Sequence, residues 1–226
     1  MTLFLADPNA PPINMRTNPP TPYLINLFEL NLGLDTHKLY NITFDSNHTV
    51  QTLVTFSPDH VDCWFVDTRL LTVSFPVIGL HIEWGPNKPA TIHLCINNIC
   101  LVYQVIQAPY VCPSLSIYLA NPNIRFVGVG IKAGIEKLRS DYGLRVANFV
   151  DLRSLAAEKL HDREILRSTG FKMLAERVLG KVVEKPLSVV MSRWDIPWLS
   201  DDQVKSATLD AYAAFEIGRR LYTNLV

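Results

Sequence analysis

The chain has 226 residues, 48% of them hydrophobic, and its 21 basic and 21 acidic side chains cancel. That length fills one good core, and zero net charge excludes a protein held to nucleic acid or membrane by an overall field. The halves differ: residues 1–112 carry 4 Lys/Arg against 8 Asp/Glu, and residues 113–226 carry 17 against 13, a bias read as a solvated mixed surface.

The opening MTLFLADPNAPP lacks a basic n-region, and its apolar run is too short for a signal peptide. No stretch reaches the ~20 apolar residues of a membrane span. A soluble protein of the cytoplasm and/or nucleus is expected, one that meets no membrane and whose sequons at Asn41 and Asn47 carry no glycan. Residues 1–22 hold six of the fifteen prolines. They read as an extended arm, disordered or draped on a surface or a neighbouring subunit. Residues 23–226 then form the domain.

HKLYNITFD and TVQTLVTFS alternate polar and apolar residues around SNH, a hairpin signature. In SPDHVDCWFVDTRLL, Ser57 is placed to cap a helix with Pro58 at its first position, and Val61, Trp64, Phe65 and Leu71 share a face. Short β-branched runs at 76–84, 90–96 and 99–106 predict three consecutive strands. Cys95 and Cys100 flank INNI, a turn that sets them opposite each other. A cross-strand disulfide is one outcome. Two reduced, buried thiols are the preferred one, since a chain this long needs no staple.

A short helix is predicted after Pro113, then a buried strand in IRFVGVG (124–130) and a helix over 132–142. ANFVDLRSLAAEKL gives a short strand and a helix, and FKMLAERVLG a helix ending at Gly180. The terminal helix is capped by Ser200, with Asp201 and Asp202 complementing its dipole. Val204, Ala207, Ala211, Phe215 and Gly218 form its apolar stripe. Strands precede helices, so the fold class is α/β, a central mixed β-sheet flanked by helices.

The stretch VIGLHIEWGP (77–86) carries the first chemistry. His81 and Glu83 are two apart in a strand and so share a face. Two ionisable groups at the end of a buried strand are costly unless something uses them.

VIGLHIEWGP, then ATIHLC, VGVGIKAGIEKL, GFKMLAERVLG and SRWDIPWLSDDQVKSATLDAYAAFEIGRRL together resemble the Werner-type 3′–5′ exonuclease domain, of the DEDDy branch of ribonuclease-H-like exonucleases. The small single-domain plant proteins of that group look nearest. The resemblance covers roughly residues 50–224 and rests on several motifs in order. It implies a ribonuclease-H-like exonuclease fold and a site of four carboxylates and a tyrosine. There, two Mg²⁺ or Mn²⁺ ions about 3.5–4 Å apart clamp a phosphodiester, and the tyrosine helps position water.

Carried over position by position, the resemblance places His81 and Glu83 at the family's Asp-x-Glu. The glutamate stands and the metal-bridging aspartate is lost. The second aspartate falls at Gly134; Glu136 and Asp141 lie nearby but not at that position. The Tyr-x-x-x-Asp motif falls at Ser206 and Asp210, one helical turn apart. Tyr212 does not substitute, because a two-residue offset turns it about 160° away. Three of five positions are therefore replaced (His81, Gly134 and Ser206), and Glu83 and Asp210 are the retained metal-ligand positions.

For His81 the preferred reading is an imidazole hydrogen-bonded to Glu83 or to backbone; the alternative is a ligand, with Glu83 and Asp210, of one Mn²⁺, Zn²⁺ or similar ion. Glu83 and Asp210 either hold a weak single cation or face water, their repulsion relieved by the imidazole. Gly134 leaves helix N-terminal N–H groups free for an anion or water. Ser206 reads as a small filler, and His93 as structural. Trp194 and Trp198 read as packing anchors. Lys172, Arg177, Lys181 and Lys185 either touch a backbone phosphate or form a solvated helix face.

The expectation is a pseudo-exonuclease, inactive or weakly active, that serves as an interaction or scaffold protein. Its partner is a protein or another copy of itself in a homo-oligomer, and no cofactor is needed beyond, as the alternative, one weakly bound divalent cation. Two other readings stand beside it: a module that binds DNA or RNA without cutting, and a residual or retuned metal-dependent nuclease.

Overall fold

The computed structural model describes residues 19–30, 36–46, 48–161 and 169–223. The extreme arm (1–18) and Asn47 lie outside them.

The three consecutive strands form as their apolar runs require: β5 (Val77–Trp84), β6 (Pro89–Ile96) and β7 (Ile99–Tyr103). Every residue of β6 is buried, the signature of a strand covered on both faces. Preceding them are β1 (Thr21–Pro22), β2 (Ile25–Leu30) and the hairpin β3 (His37–Phe44) with β4 (His48–Thr55). Following them are β8 (Arg125–Gly128), β9 (Phe149–Asp151) and β10 (Lys181–Val182). The main sheet runs β2-β3-β4-β7-β6-β5-β8-β9. Its β4–β7, β5–β8 and β8–β9 pairs are parallel and the rest antiparallel, so the expected mixed sheet is present. β1, the end of the arm, pairs in parallel with β10.

The helices are α1 (Pro58–Ser74), α2 (Pro113–Leu119), α3 (Lys132–Tyr142), α4 (Leu152–Lys159), α5 (Phe171–Leu179), the short α6 (Leu187–Val190) and α7 (Asp201–Thr223). Among the described residues no helix is long and apolar enough to cross a membrane. α5 ends at Gly180, whose φ of 68° is the left-handed conformation that glycine adopts at no steric cost. Ser200 caps α7 in a reciprocal pair: its Oγ accepts from Gln203 N–H at 3.3 Å, and Gln203 Oε1 accepts from Ser200 N–H at 3.0 Å.

Three expectations need correction. Ser57 stands at the N-cap of α1, but its side chain makes no cap hydrogen bond. Instead its N–H donates to Thr55 Oγ1 at 3.0 Å. The third run stops at Tyr103 rather than 106, because Gln104 turns aside and donates its carboxamide to the carbonyls of Ile196 and Pro197. Finally, Cys95 and Cys100 are not two reduced thiols: they form a disulfide. The β6–β7 register places them directly opposite, with Asn97 at φ 51° in the turn between.

Two helical layers cover the sheet. α7 lies on the face of β5 to which Gly79, His81 and Glu83 point. α2 and α3 lie on the other, where Tyr118 meets the Phe126 ring edge-on and Gly134 sits against Ile82. The expected stripe of α7 (Val204, Ala207, Ala211, Phe215 and Gly218) is buried, and burial extends beyond it to Ser206, Thr208, Leu209, Asp210 and Tyr212.

Candidate functional site

The polar cluster follows from how α7 docks on β5. With no side chain at Gly79, the helix backbone presses onto the strand at Ala211 and Phe215. Asp210, one residue before Ala211, then faces the two polar residues that strand alternation puts on that side. His81 Nε2 lies 3.2 Å from Glu83 Oε1 and 3.6 Å from Asp210 Oδ2. The β5–β6 register adds a second row: His93 opposite His81, and Thr91 opposite Glu83.

Lys185 comes from the irregular segment after β10, not from a helix face. Its ammonium donates to Glu83 Oε1 and lies 2.8 Å from Asp210 Oδ2. This corrects the expectation of a phosphate contact or a solvated face. Glu83 and Asp210 are likewise not left facing water; an internal cation pairs with both.

Burial pushes the Glu83 carboxyl up, but its hydrogen bond to His81 and the charges of His81 and Lys185 outweigh that and bring it down to about 2. For Lys185 burial acts downward and is outweighed by Asp210 and Glu83, so its pKa rises. Fully buried His93 is held neutral, its pKa pushed well below the ordinary value by burial and by the neighbouring His81. Its Nε2 lies 2.7 Å from Thr91 Oγ1, and its ring stands 5.6 Å from both His81 and Trp194.

The remaining positions fall as follows. Ser206 is buried on α7 one turn before Asp210. At Gly134 a Cβ would meet Ile82 Cδ1 at 2.8 Å, and Ile82 points to the face away from His81 and Glu83. Tyr212 is pinned by stacking on Phe44 and His48 at 5.0 and 5.1 Å, in line with the helical-wheel argument. Glu136 is exposed, and Asp141 pairs with Lys137 at 2.9 Å. Trp194 is buried, and Trp198 packs on Phe56 at 5.7 Å, as anchors should. Lys172 pairs with Glu184 at 2.6 Å, and Lys181 with Asp45 at 2.9 Å.

Sequence reasoning missed two members of this cluster. The His81–His93 pairing was open to counting across the four-residue connection 85–88. Lys185 carries no such signal, because it sits outside any strand or helix period and its carboxylate partner Glu83 is 102 residues away.

Among the described residues, His81, Glu83 and Asp210 are the set whose ligand atoms, within 4.8 Å of one another, suit a metal ion. A pair of divalent cations does not fit what is present. The cluster offers two carboxylates and an imidazole, and one lysine ammonium already pairs with both carboxylates. Two hard dications need several anionic oxygens at once.

A family model described as 3′-5′ exonuclease matches residues 69–225. Over 178 residues the chain is 30% identical to the bifunctional 3′-5′ exonuclease/ATP-dependent helicase WRN of Mus musculus, covering 74% of this chain and 12% of that protein. It is 29% identical over 161 residues to a 3′-5′ exonuclease of Arabidopsis thaliana, covering 67% and 54%. The chain thus spans about half or less of these relatives' lengths. Among solved structures, RNase D of Escherichia coli superposes with a TM-score of 0.63 at 20% identity, over 76% of this chain and 44% of that one. The likeness is one of fold: a mixed sheet flanked by helices, of the ribonuclease-H-like type.

Proposed function

The chain belongs to the 3′-5′ exonuclease family, and we propose that it is a member without efficient two-metal hydrolysis, acting in the cytoplasm or nucleus as a platform for a protein partner or a second copy of itself. One observation carries this reading. Where the resemblance expects a bridging carboxylate, the imidazole of His81 stands between Glu83 and Asp210, 3.2 and 3.6 Å from their oxygens. Loss of a bridging carboxylate weakens both cation binding and the stabilisation of charge on the reacting phosphate. Gly134 supplies no carboxylate and Ser206 no phenol, so three of the five groups that the family's two-metal chemistry uses are missing from this site.

The interaction role draws support from the outer side of α1. Val66, Leu70 and Val73 are each about three-quarters exposed, and their i, i+4, i+7 spacing puts them on one helical face. Nearby, Phe65, Ile117, Tyr118 and Pro122 line a shallow apolar groove between α1 and α2. Exposed apolar surface of this kind marks protein interaction sites. Nucleic-acid binding draws less support, since Lys172, Lys181 and Lys185 are each engaged by carboxylates of the chain itself.

The test is a recessed-end DNA and a single-stranded RNA, both labelled, incubated with the protein in Mg²⁺ and then in Mn²⁺. The expected outcome is neither laddering nor a salt-sensitive band shift. A specific protein, or the chain itself, should be retained by the wild type and lost with Leu70→Glu. Metal-dependent laddering that disappears in Glu83→Gln overturns the reading.

A further inference from the structure

Without bound metal, Glu83 and Asp210 pose an electrostatic problem. Their side chains are only 15% and 6% exposed, and two carboxylates this close repel strongly in a low-dielectric setting. Asp210 Oδ2 is buried and makes no hydrogen bond of good geometry, so nearby positive charge must compensate it. His81 lies at 3.6 Å, but the same Nε2 is already hydrogen-bonded to Glu83.

We propose that the ε-ammonium of Lys185 is a built-in replacement for a divalent cation in this cleft: it holds Glu83 and Asp210 together and shuts divalent ions out. The inference rests on the reading above in that the working protein carries no metal here. Lys185 Nζ donates to Glu83 Oε1 and sits 2.8 Å from Asp210 Oδ2, spanning two of the three groups that would ligate one ion. From behind, the ammonium is backed by the face of buried Trp194, 5.7 Å from the ring centre. The neighbouring residue turns the other way: Glu184, 69% exposed, pairs outward with Lys172. The segment after β10 thus sends its anion to solvent and its cation into the cleft. An ammonium tethered to the chain competes at a very high effective concentration with any free ion. It cannot diffuse away, so a divalent ion binds only by breaking both lysine contacts.

The test compares wild type, Lys185→Met and Lys185→Met/Asp210→Asn in full-length protein, with Mn²⁺ alone as the probe. Free Mn²⁺ is followed by electron paramagnetic resonance and stability by thermal melting. Wild type should bind Mn²⁺ at this site too weakly to shift its melting temperature. Lys185→Met should melt lower, bind one Mn²⁺ at least about tenfold more tightly than wild type, and regain melting temperature as Mn²⁺ is added. The double variant should lose that response.

If Lys185→Met is recovered only as aggregate, refolding is the reading: recovery in Mn²⁺ supports the proposal, and failure with and without Mn²⁺ overturns it. Equal Mn²⁺ binding by wild type and Lys185→Met also overturns it, as does a soluble variant whose melting ignores Mn²⁺. Those failures leave the proposed loss of hydrolysis standing. Nucleic-acid cutting by wild type in Mn²⁺ ends both.

Discussion

Gly79 lies directly beneath the backbone of Ala211: a Cβ at position 79 would come within 2.0 Å of the Ala211 carbonyl oxygen and 2.6 Å of Phe215 N. No rotamer relieves a clash with backbone, so even Gly79→Ala must push α7 off β5. The expected loss is about 3 kcal/mol or more, read from the denaturant midpoint at constant slope. A variant within about 0.5 kcal/mol of wild type would show that the helix does not dock this closely. Because Asp210 adjoins Ala211, the same shift should loosen its contact with Lys185.

Acid should unfold the protein in two stages. Neutral, buried His93 has a pKa well below 6.5 in the fold. The unfolded chain therefore binds the extra proton, and stability falls as pH drops below 6.5. Glu83 has its pKa depressed from 4.5 to about 2. Its contribution is present above 4.5 and is lost as pH falls through that window toward 2, by about 3 kcal/mol at most. Lys185 is raised above 10.5, so its contribution holds below that pH and is lost as pH rises through the folded value. Denaturation at fixed temperature across pH 2–8 should show both acid limbs in wild type. Glu83→Gln should keep the His93 limb and make the lower one shallower, the rest of it coming from Asp141, Asp151 and Asp195, whose pKa values are also lowered. An unchanged lower limb in Glu83→Gln would mean that the His81 and Lys185 contacts do not hold in solution.

Restoring the family residues is not enough while Lys185 stays in place. His81→Asp/Gly134→Asp/Ser206→Tyr returns three side chains, and at 134 the added Cβ meets the flexible tip of Ile82 at 2.8 Å. The ammonium still pairs with Glu83 and Asp210. Titration calorimetry with Mn²⁺ should show this triple variant binding at least about tenfold more weakly than the same variant carrying Lys185→Met. Equal affinities would mean the ammonium is readily displaced.

How far the sequence could be read depended on the range of the interaction. Elements set by local rules were legible: Ser200 starting α7, Gly180 ending α5, and the turn Asn97–Asn98 setting Cys95 against Cys100. The state of those two sulfurs was not, because facing across a hairpin permits a bond without requiring one. Strand alternation put His81 and Glu83 on one face, and the resemblance in motif order implied that Asp210 joins them. The partner of their charges lay beyond any such rule. Lys185 sits in irregular backbone between Val182 and Leu187, where no period says which way a side chain points.

One hydroxyl pair fastens α7 to the outer part of the sheet, and its energetics separate two accounts of the docking. Thr52 on β4 and Thr208 on α7 are fully buried, with their Oγ1 atoms 3.0 Å apart. Removing one partner leaves the other buried and unsatisfied, so Thr208→Val should cost about 1–3 kcal/mol. Replacing both removes the unsatisfied group, and Thr52→Val/Thr208→Val should recover most of that loss. A double-mutant cycle in denaturant should therefore give a coupling of about 1 kcal/mol or more between the sites. Additive losses would mean that apolar packing along the Val204–Leu221 stripe holds the helix without this bond. In that case Asp210 owes its place beside His81 to the Gly79 contact rather than to any polar tie.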